Sequence, residues 1–157
     1  MIKVLIAGEG GQGVQVIAEI LAKAAFVEGK KALYIPNFGV EQRGGVSLAF
    51  VVIDEKPVVY PKFEQADILA ILTVRAEERI KPYIGPQTKI IKGPAISQKD
   101  YNLPAKAWNI LVLGQINKEG KIVSQESLRK ALTDRFTKQF EQNPALKKLD
   151  LEALERS

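Results

Sequence analysis

The fold is decided by Gly8-Glu9-Gly10-Gly11-Gln12-Gly13, which joins an apolar run to a helical pattern. Residues 2–7 are a short run rich in branched apolar side chains, as in a buried strand of a parallel sheet. From residue 12 to residue 28 the apolar positions recur at helical spacing, and Gly29 supplies a stop. The stretch therefore predicts a strand, a tight glycine turn and a helix.

The strands predicted after this unit complete a sheet. Residues 31–36 form a second strand, which a right-handed crossover would place parallel to the first. An unbroken apolar run at 46–53 predicts a buried strand, and residues 54–57 turn the chain so that 58–60 can pair with it as a hairpin. Strands at 67–72 and 89–92 and a short helix at 76–81 follow, whereas residues 108–115 fit a helix or a strand equally well.

The last part of the chain is predicted to be helical. Ser124 is suited to an N-cap, and Leu128, Leu132, Phe136 and Phe140 lie four residues apart on one helix face, which ends before Pro144. Residues 1–140 are expected to form a single α/β domain and residues 141–157 a leucine-containing docking tail. We predict a Rossmann-like three-layer sandwich with a mostly parallel central sheet, with a β-hairpin or an antiparallel edge strand as an open possibility.

Composition excludes several classes of function. The chain has 157 residues, no Cys and no His, so it has no thiolate iron–sulfur ligand, no cysteine nucleophile and no imidazole. The net charge of +5 is spread without a Lys/Arg run or interleaved aromatic residues, which argues against nucleic-acid binding. No apolar run approaches the ~20 residues of a membrane span, and no signal peptide is apparent. We expect a cytoplasmic protein.

The glycine turn is a candidate anion site, because G-x-G-x-x-G between a strand and a helix is the fingerprint of dinucleotide-binding units. Glycine permits positive φ and a close phosphate, and the helix N-terminus presents free N–H groups. The alternative is that the glycines only make a tight turn. Two features argue against NAD and P-loop binding: the second strand ends Asn37-Phe38 without an acid, and Gly-Lys-Ser/Thr is absent. Glu9 would repel a phosphate unless it turns away or pairs with a cation.

A second loop, Gly39-Val40-Glu41-Gln42-Arg43-Gly44-Gly45, follows the second strand and is expected at the same end of the sheet. The Arg43 guanidinium is a fixed cation suited to a carboxylate or a phosphate. An ion pair with Glu41 or Glu9 that shapes the loop is the alternative.

The two loops together resemble a known family. The motif G-x-G-G-Q-G at residues 8–13, followed by Tyr/Phe-Gly-x-Glu-x-Arg-Gly-Gly at residues 38–45, is similar to the gamma subunit of the thiamine-diphosphate-dependent 2-oxoacid:ferredoxin oxidoreductases. The similarity continues through Tyr60-Pro61, the strand near residue 68 and the stretch from Asn109 to Gly114. The chain departs from many relatives in its short segment between Gly114 and Ser124.

The resemblance implies a non-catalytic component of a complex that oxidatively decarboxylates a 2-oxoacid such as pyruvate, 2-oxoglutarate or 2-ketoisovalerate. The product is an acyl-coenzyme A, and the electrons pass to ferredoxin. Thiamine diphosphate, Mg²⁺ and the iron–sulfur clusters would be held by alpha, beta and delta (ferredoxin-like) subunits. The residues implied to contact coenzyme A are Gly10, Gly11, Gln12, Gly13 and, as a nearby anion clamp, Arg43.

Two other hypotheses remain open from the sequence. The chain can be an independent nucleotide-binding module of Rossmann type, or a structural domain of the same complex whose glycine turn touches no ligand. The sequence does not identify the 2-oxoacid substrate, since the resemblance implies that the substrate pocket lies on other subunits.

Overall fold

The computed structural model describes residues 1–38, 45–60 and 62–157. Five strands lie in this part of the chain: β1 (Ile2–Glu9), β2 (Lys31–Phe38), β3 (Val46–Asp54), β4 (Ile68–Ile71) and β5 (Lys89–Lys92). The α-helices there are α1 (Val14–Val27), α2 (Glu77–Ile80), α3 (Pro94–Ser97), α4 (Trp108–Gly120), α5 (Gln125–Arg135), α6 (Thr137–Gln142) and α7 (Pro144–Glu155). Short 3-10 turns cover Val74–Ala76, Lys81–Tyr83 and Ala105–Ala107.

The strands form one mixed sheet in the order β2-β3-β1-β4-β5. β1 is parallel to β4, and β4 to β5, whereas β3 is antiparallel to both β1 and β2. The predicted α/β class is confirmed, whereas the prediction of a mostly parallel sheet is confirmed only in part. Four strands share one direction, yet the antiparallel strand lies inside the sheet and not at its edge.

The position of β3 explains this difference. The crossover through α1 places β2 parallel to β1 but two positions away, and β3 fills the space between them. The long apolar run of β3 follows from this central place, because residues Leu48–Ile53 are all buried, most of them under 3% exposed.

The predicted hairpin between residues 46–53 and 58–60 is wrong. β3 pairs with β2 on one side and β1 on the other, so neither of its edges is open to a further strand. Residues 58–60 lie outside the sheet, with Val59 94% and Tyr60 71% exposed.

The helices cover both faces of the sheet. On one face α1, α4, α5 and α7 enclose a core that includes Val4 and Ile6 of β1. On the other face α2 and the neighbouring turns cover Leu5 and Ala7 of the same strand. The three-layer arrangement follows from the alternation of side chains along β1.

The undecided stretch at residues 108–115 is helical and belongs to α4. Its apolar residues run on without a clear face because the sheet, α1 and α7 surround the helix. Ser124 is the N-cap of α5, as predicted, since its Oγ accepts a hydrogen bond from Ser127 N at 3.1 Å.

The single helix predicted to end before Pro144 is instead two. α5 ends at Arg135, and α6 begins at Thr137, with Phe136 (φ −114°) between them. Pro144 opens α7, which packs along α4 and adds Ala153 and Leu154 to the core. The expected docking tail at 141–157 is thus mainly this helix. No helix formed by the described residues combines the length and the apolar character needed to cross a bilayer.

Candidate functional site at the carboxyl edge of the sheet

The glycine loop has the backbone conformation that its sequence predicts. Gly11 (φ +86°) and Gly13 (φ +77°) both adopt left-handed conformations, and Gly13 is the N-cap of α1. A Cβ on Gly8 would lie 2.7 Å from Val14 Cγ2, so Gly8 allows the helix to pack close to the end of β1. The loop therefore turns tightly and brings the first turn of α1 over the strand ends.

Gln12 ties this loop to the neighbouring strand. Its Oε1 accepts a hydrogen bond from Glu9 N at 2.7 Å, and its Nε2 donates to the Leu72 carbonyl at 3.1 Å. The Gln12 backbone N–H donates to the Glu9 carbonyl at 3.1 Å. The amide side chain, expected to contact coenzyme A, thus shapes the loop and fixes it against the end of β4.

The Glu9 carboxylate is paired with groups that follow β4. Thr73 Oγ1 donates to Glu9 Oε1 at 2.5 Å, and Arg75 Nη1 lies 3.3 Å from Glu9 Oε2. The sequence required that Glu9 turn away or pair with a cation if an anion is to approach the loop, and the pair with Arg75 meets the second condition.

A cavity of about 370 Å³ opens beside the loop. It is lined by Gly11 to Gly13, Leu72, Gly93 to Ala95, Ala105, Lys106, Trp108 and Asn109. These residues follow β1, β4 and β5 or lead into α4. The chain leaves β1 toward β2 and leaves β4 in the opposite direction, toward β5, so the cavity occupies the switch point where open α/β sheets bind ligands.

Two long helices begin at this cavity. The N-cap of α1 is Gly13 and that of α4 is Ala107, and neither N-terminus is capped by a side chain. The 3-10 turn before α4 continues into the helix, since the Trp108 N–H donates to the Ala105 carbonyl. The first-turn N–H groups of such helices carry partial positive charge. Lys106 is the one cationic side chain among the described lining residues. The cavity is therefore suited to a negatively charged group.

The residues of α4 that line the cavity were not predicted from the sequence to be part of a site. Trp108 is half-buried, and its Nε1 donates to the Leu103 carbonyl at 3.1 Å, which holds the indole in place. Asn109 is packed against Gly13, because a Cβ on Gly13 would lie 2.5 Å from Asn109 Nδ2. The available signal was Asn109 within the family-like stretch, but without the helix assignment it could not be placed beside the glycine loop.

The predicted site residues divide into three groups. Gly11, Gln12 and Gly13 line the cavity, whereas Gly10 belongs to the same turn but does not line it. Arg43 lies outside the described residues. The strand ends that flank its loop are at the same edge as the glycine loop, since Glu9 pairs with Val46 in the register of β1 and β3.

β2 and β3 are nevertheless on the side of β1 opposite β4, and no described lining residue belongs to either strand. Within the described ranges, no cluster of three or more metal-ligating side chains is present.

Comparisons with known proteins agree with the two-motif resemblance. Residues 3–104 match the family described as "Pyruvate ferredoxin/flavodoxin oxidoreductase". The 2-oxoglutarate synthase subunit KorC of Methanocaldococcus jannaschii is 31% identical over 92% of this chain and 88% of its own. The pyruvate/ketoisovalerate oxidoreductases common subunit gamma of Pyrococcus abyssi is 30% identical over 87% and 88%.

Solved structures share the fold. The gamma subunit of a keto/oxoacid ferredoxin oxidoreductase from Geobacter sulfurreducens superposes with a TM-score of 0.71 at 24% identity, covering all of both chains. The 2-oxoglutarate:ferredoxin oxidoreductase of Magnetococcus marinus, solved with 2-oxoglutarate, coenzyme A and succinyl-CoA, gives a TM-score of 0.80 at 20% identity. That match covers 99% of this chain and 30% of the larger one. The chain therefore belongs to the pyruvate ferredoxin/flavodoxin oxidoreductase family, as a gamma-type subunit of the 2-oxoacid:ferredoxin oxidoreductases.

Proposed function

We propose that this gamma-type subunit binds the diphosphate part of coenzyme A in the cavity beside its glycine loop, within an assembled 2-oxoacid:ferredoxin oxidoreductase. The observation that carries the proposal is the meeting of Gly11 and Gly13 with the uncapped N-terminus of α4 around one cavity. The first turn of α1, the start of the 3-10 turn that leads into α4, and Lys106 offer hydrogen-bond donors to an anion, and no acid is among the described lining residues.

The size of the cavity supports a shared site. Ligand pockets usually span roughly 300–1,000 Å³, so about 370 Å³ holds a nucleotide-sized part of coenzyme A and not the whole molecule. The remaining arm would extend toward a partner subunit. Coenzyme A is also present in the solved Magnetococcus marinus relative, of which this fold forms one part.

The proposed partners are the alpha, beta and ferredoxin-like delta subunits of the same complex, with ferredoxin as electron acceptor and a cytoplasmic location. Those subunits would hold thiamine diphosphate, Mg²⁺ and the iron–sulfur clusters. The composition of the chain supports this division, because a sequence without Cys and His offers no thiolate or imidazole for redox centres. Arg43 is proposed as a second anion contact from the neighbouring loop.

Steady-state kinetics of the assembled complex test the proposal. With viologen reduction as the readout, Gly11→Asp and Arg43→Ala should each raise the KM for coenzyme A several-fold. Gly11→Asp adds a negative charge beside the proposed diphosphate site, and Arg43→Ala removes a positive charge from it. Gly29→Asp is the matched control: Gly29 also has positive φ (+81°) and open space around a Cβ, but lies at the other end of α1.

Two outcomes would overturn the proposal. Unchanged KM values in a fully assembled complex would favour a structural domain that touches no ligand. Micromolar binding of NAD by the isolated chain, measured by calorimetry, would favour an independent nucleotide-binding module.

A further inference from the structure

Asp150 is a buried carboxylate on the helix that packs against the 3-10 turn lining the cavity. It lies on α7 and is 5% exposed, and within the described residues it is the only acidic side chain so deeply buried. Its Oδ1 has no hydrogen-bond partner there. Burial raises the pKa of Asp150 to about 6, and the charge of Lys106 offsets part of this effect.

Lys106 connects this carboxylate to the cavity. It belongs to the 3-10 turn Ala105–Ala107, which contacts α7 on one side and lines the cavity on the other. Lys106 makes no ion pair with a described residue, and its side chain is exposed at the cavity. Of the charged groups around Asp150, Lys106 is the one that acts on its pKa.

The other charged groups on elements packed against α7 are at the surface or engaged elsewhere. On α4, Glu119 pairs with Lys89, and Lys118 donates to the Ser157 carbonyl. On α5 and α7, the pairs are Arg129 with Glu155, Lys130 with Asp134, and Arg156 with Glu152. The exposed groups of α6 and α7 are Lys138, Glu141, Lys147 and Lys148.

We propose that Asp150 sets the affinity of the cavity for anionic ligands: its ionised carboxylate offsets the Lys106 charge, and its protonation strengthens anion binding. This inference rests on the proposed function, because it assigns a regulating residue to the same cavity. It makes Asp150 a positioning residue that acts through Lys106 and touches no ligand itself.

The coupling must be reciprocal. If protonation of Asp150 favours an anion, then a bound anion favours protonation of Asp150 by the same factor. Anion binding near pH 6 is therefore accompanied by proton uptake. A residue with only a packing role would produce no such uptake.

Calorimetry of the full chain with dephospho-coenzyme A measures this linkage. The probe carries a diphosphate but no phosphate monoester, the group that would itself titrate near pH 6. Titrations in two buffers of different ionisation enthalpy should show proton uptake at pH 6, and the affinity should rise about threefold from pH 7.5 to pH 5.5. Asp150→Asn should abolish the uptake and bind about threefold more tightly than the wild type at pH 7.5, whereas the exposed Glu141→Gln should behave as wild type.

A second measurement needs no ligand. The pKa of Asp150, followed through its carboxyl carbon by NMR, should be higher in Lys106→Met than in the wild type, because the neighbouring positive charge is gone. An unchanged pKa would overturn the inference. Binding without proton uptake would overturn the inference and leave the proposed function intact, whereas no binding by either the chain or the assembled complex would overturn both.

Discussion

Gly13 and Asn109 bring the first turns of α1 and α4 into contact. A Cβ on Gly13 would lie 2.5 Å from Asn109 Nδ2, closer than side chains approach one another in folded proteins, and 3.1 Å from the Cβ and Cγ of Asn109. Gly13 also has a φ of +77°. Glycine is therefore required at position 13 for two reasons. It adopts the left-handed backbone conformation, and it leaves space for the contact between α1 and α4 at the edge of the cavity.

Gly13→Ala should destabilise the fold by about 2–5 kcal/mol. The left-handed conformation costs a non-glycine residue about 1–2 kcal/mol, and the overlap with Asn109 adds about 1–3 kcal/mol. Urea unfolding of the two proteins at pH 7 measures the difference.

Gly11→Ala is the matched control, since Gly11 has a similar φ of +86° but no atom within 4 Å of the point where a Cβ would lie. Gly11→Ala should lower the free energy of unfolding only by the cost of the left-handed backbone conformation, about 1–2 kcal/mol. Equal losses for the two variants would show that the contact between Gly13 and Asn109 contributes nothing.

The opening strand, glycine turn and helix could be predicted because their signals are local. Positive φ at Gly11 and Gly13, the helix stop at Gly29 and the N-cap at Ser124 all depend on neighbouring residues. The place of β3 could not be predicted, because its apolar run marks burial on both faces but not which strands pair with it. Its pairing is decided by how far the α1 crossover carries the chain.

The candidate site was predictable only on its glycine side. Gly11, Gln12 and Gly13 follow from the motif, whereas Lys106 and Asn109 reach the cavity through long-range packing of α4 on the sheet. The hydrogen bond from Gln12 to the Leu72 carbonyl could not be predicted, because the two residues lie sixty positions apart in the chain. Local pattern does not encode such contacts.

Gln12→Glu should destabilise the fold by about 1–2 kcal/mol at pH 7. A carboxylate still accepts a hydrogen bond from Glu9 N but cannot donate to the Leu72 carbonyl, which is left facing a negative charge. Chemical unfolding measures the loss. Gln125→Glu, at an exposed position in the first turn of α5, is the control and should cause none. If Gln12→Glu were as stable as this control, the connection between the loop and β4 would have no energetic role.

Gly114→Ala tests the packing of α7 on α4. A Cβ on Gly114 would lie 2.8 Å from the Leu154 carbonyl oxygen and 2.5 Å from Ser157 Cβ. In an exposed helix interior the same substitution stabilises by about 1 kcal/mol, because alanine favours the helix. Here the overlap should reverse the sign and cost about 1–3 kcal/mol in thermal or urea unfolding. A gain in stability would mean that α7 does not pack against α4 at this position.

Glu28 gives the stability of the fold a dependence on acid pH. Ser124 N donates to Glu28 Oε1 at 2.6 Å, joining the end of α1 to the start of α5. The hydrogen bonds with Ser124, aided by Ser127 and Lys30, lower the pKa of Glu28 from 4.5 to about 2.

A carboxyl with a lowered pKa stabilises the folded state above its ordinary pKa, and this contribution disappears as the pH falls from 4.5 to about 2. Glu28→Gln should therefore lose about 1 kcal/mol at pH 7, less than the pKa shift alone implies, since the group is partly solvated. At pH 2 about half of the Glu28 carboxyl groups in the folded wild type are protonated, so the difference in stability between the variant and the wild type in urea should be less than half of its value at pH 7. Glu126→Gln, an exposed acid in the first turn of α5, should lose less than half as much. A loss for Glu28→Gln that was the same at pH 2 and pH 7 would assign the effect to packing and not to the charge.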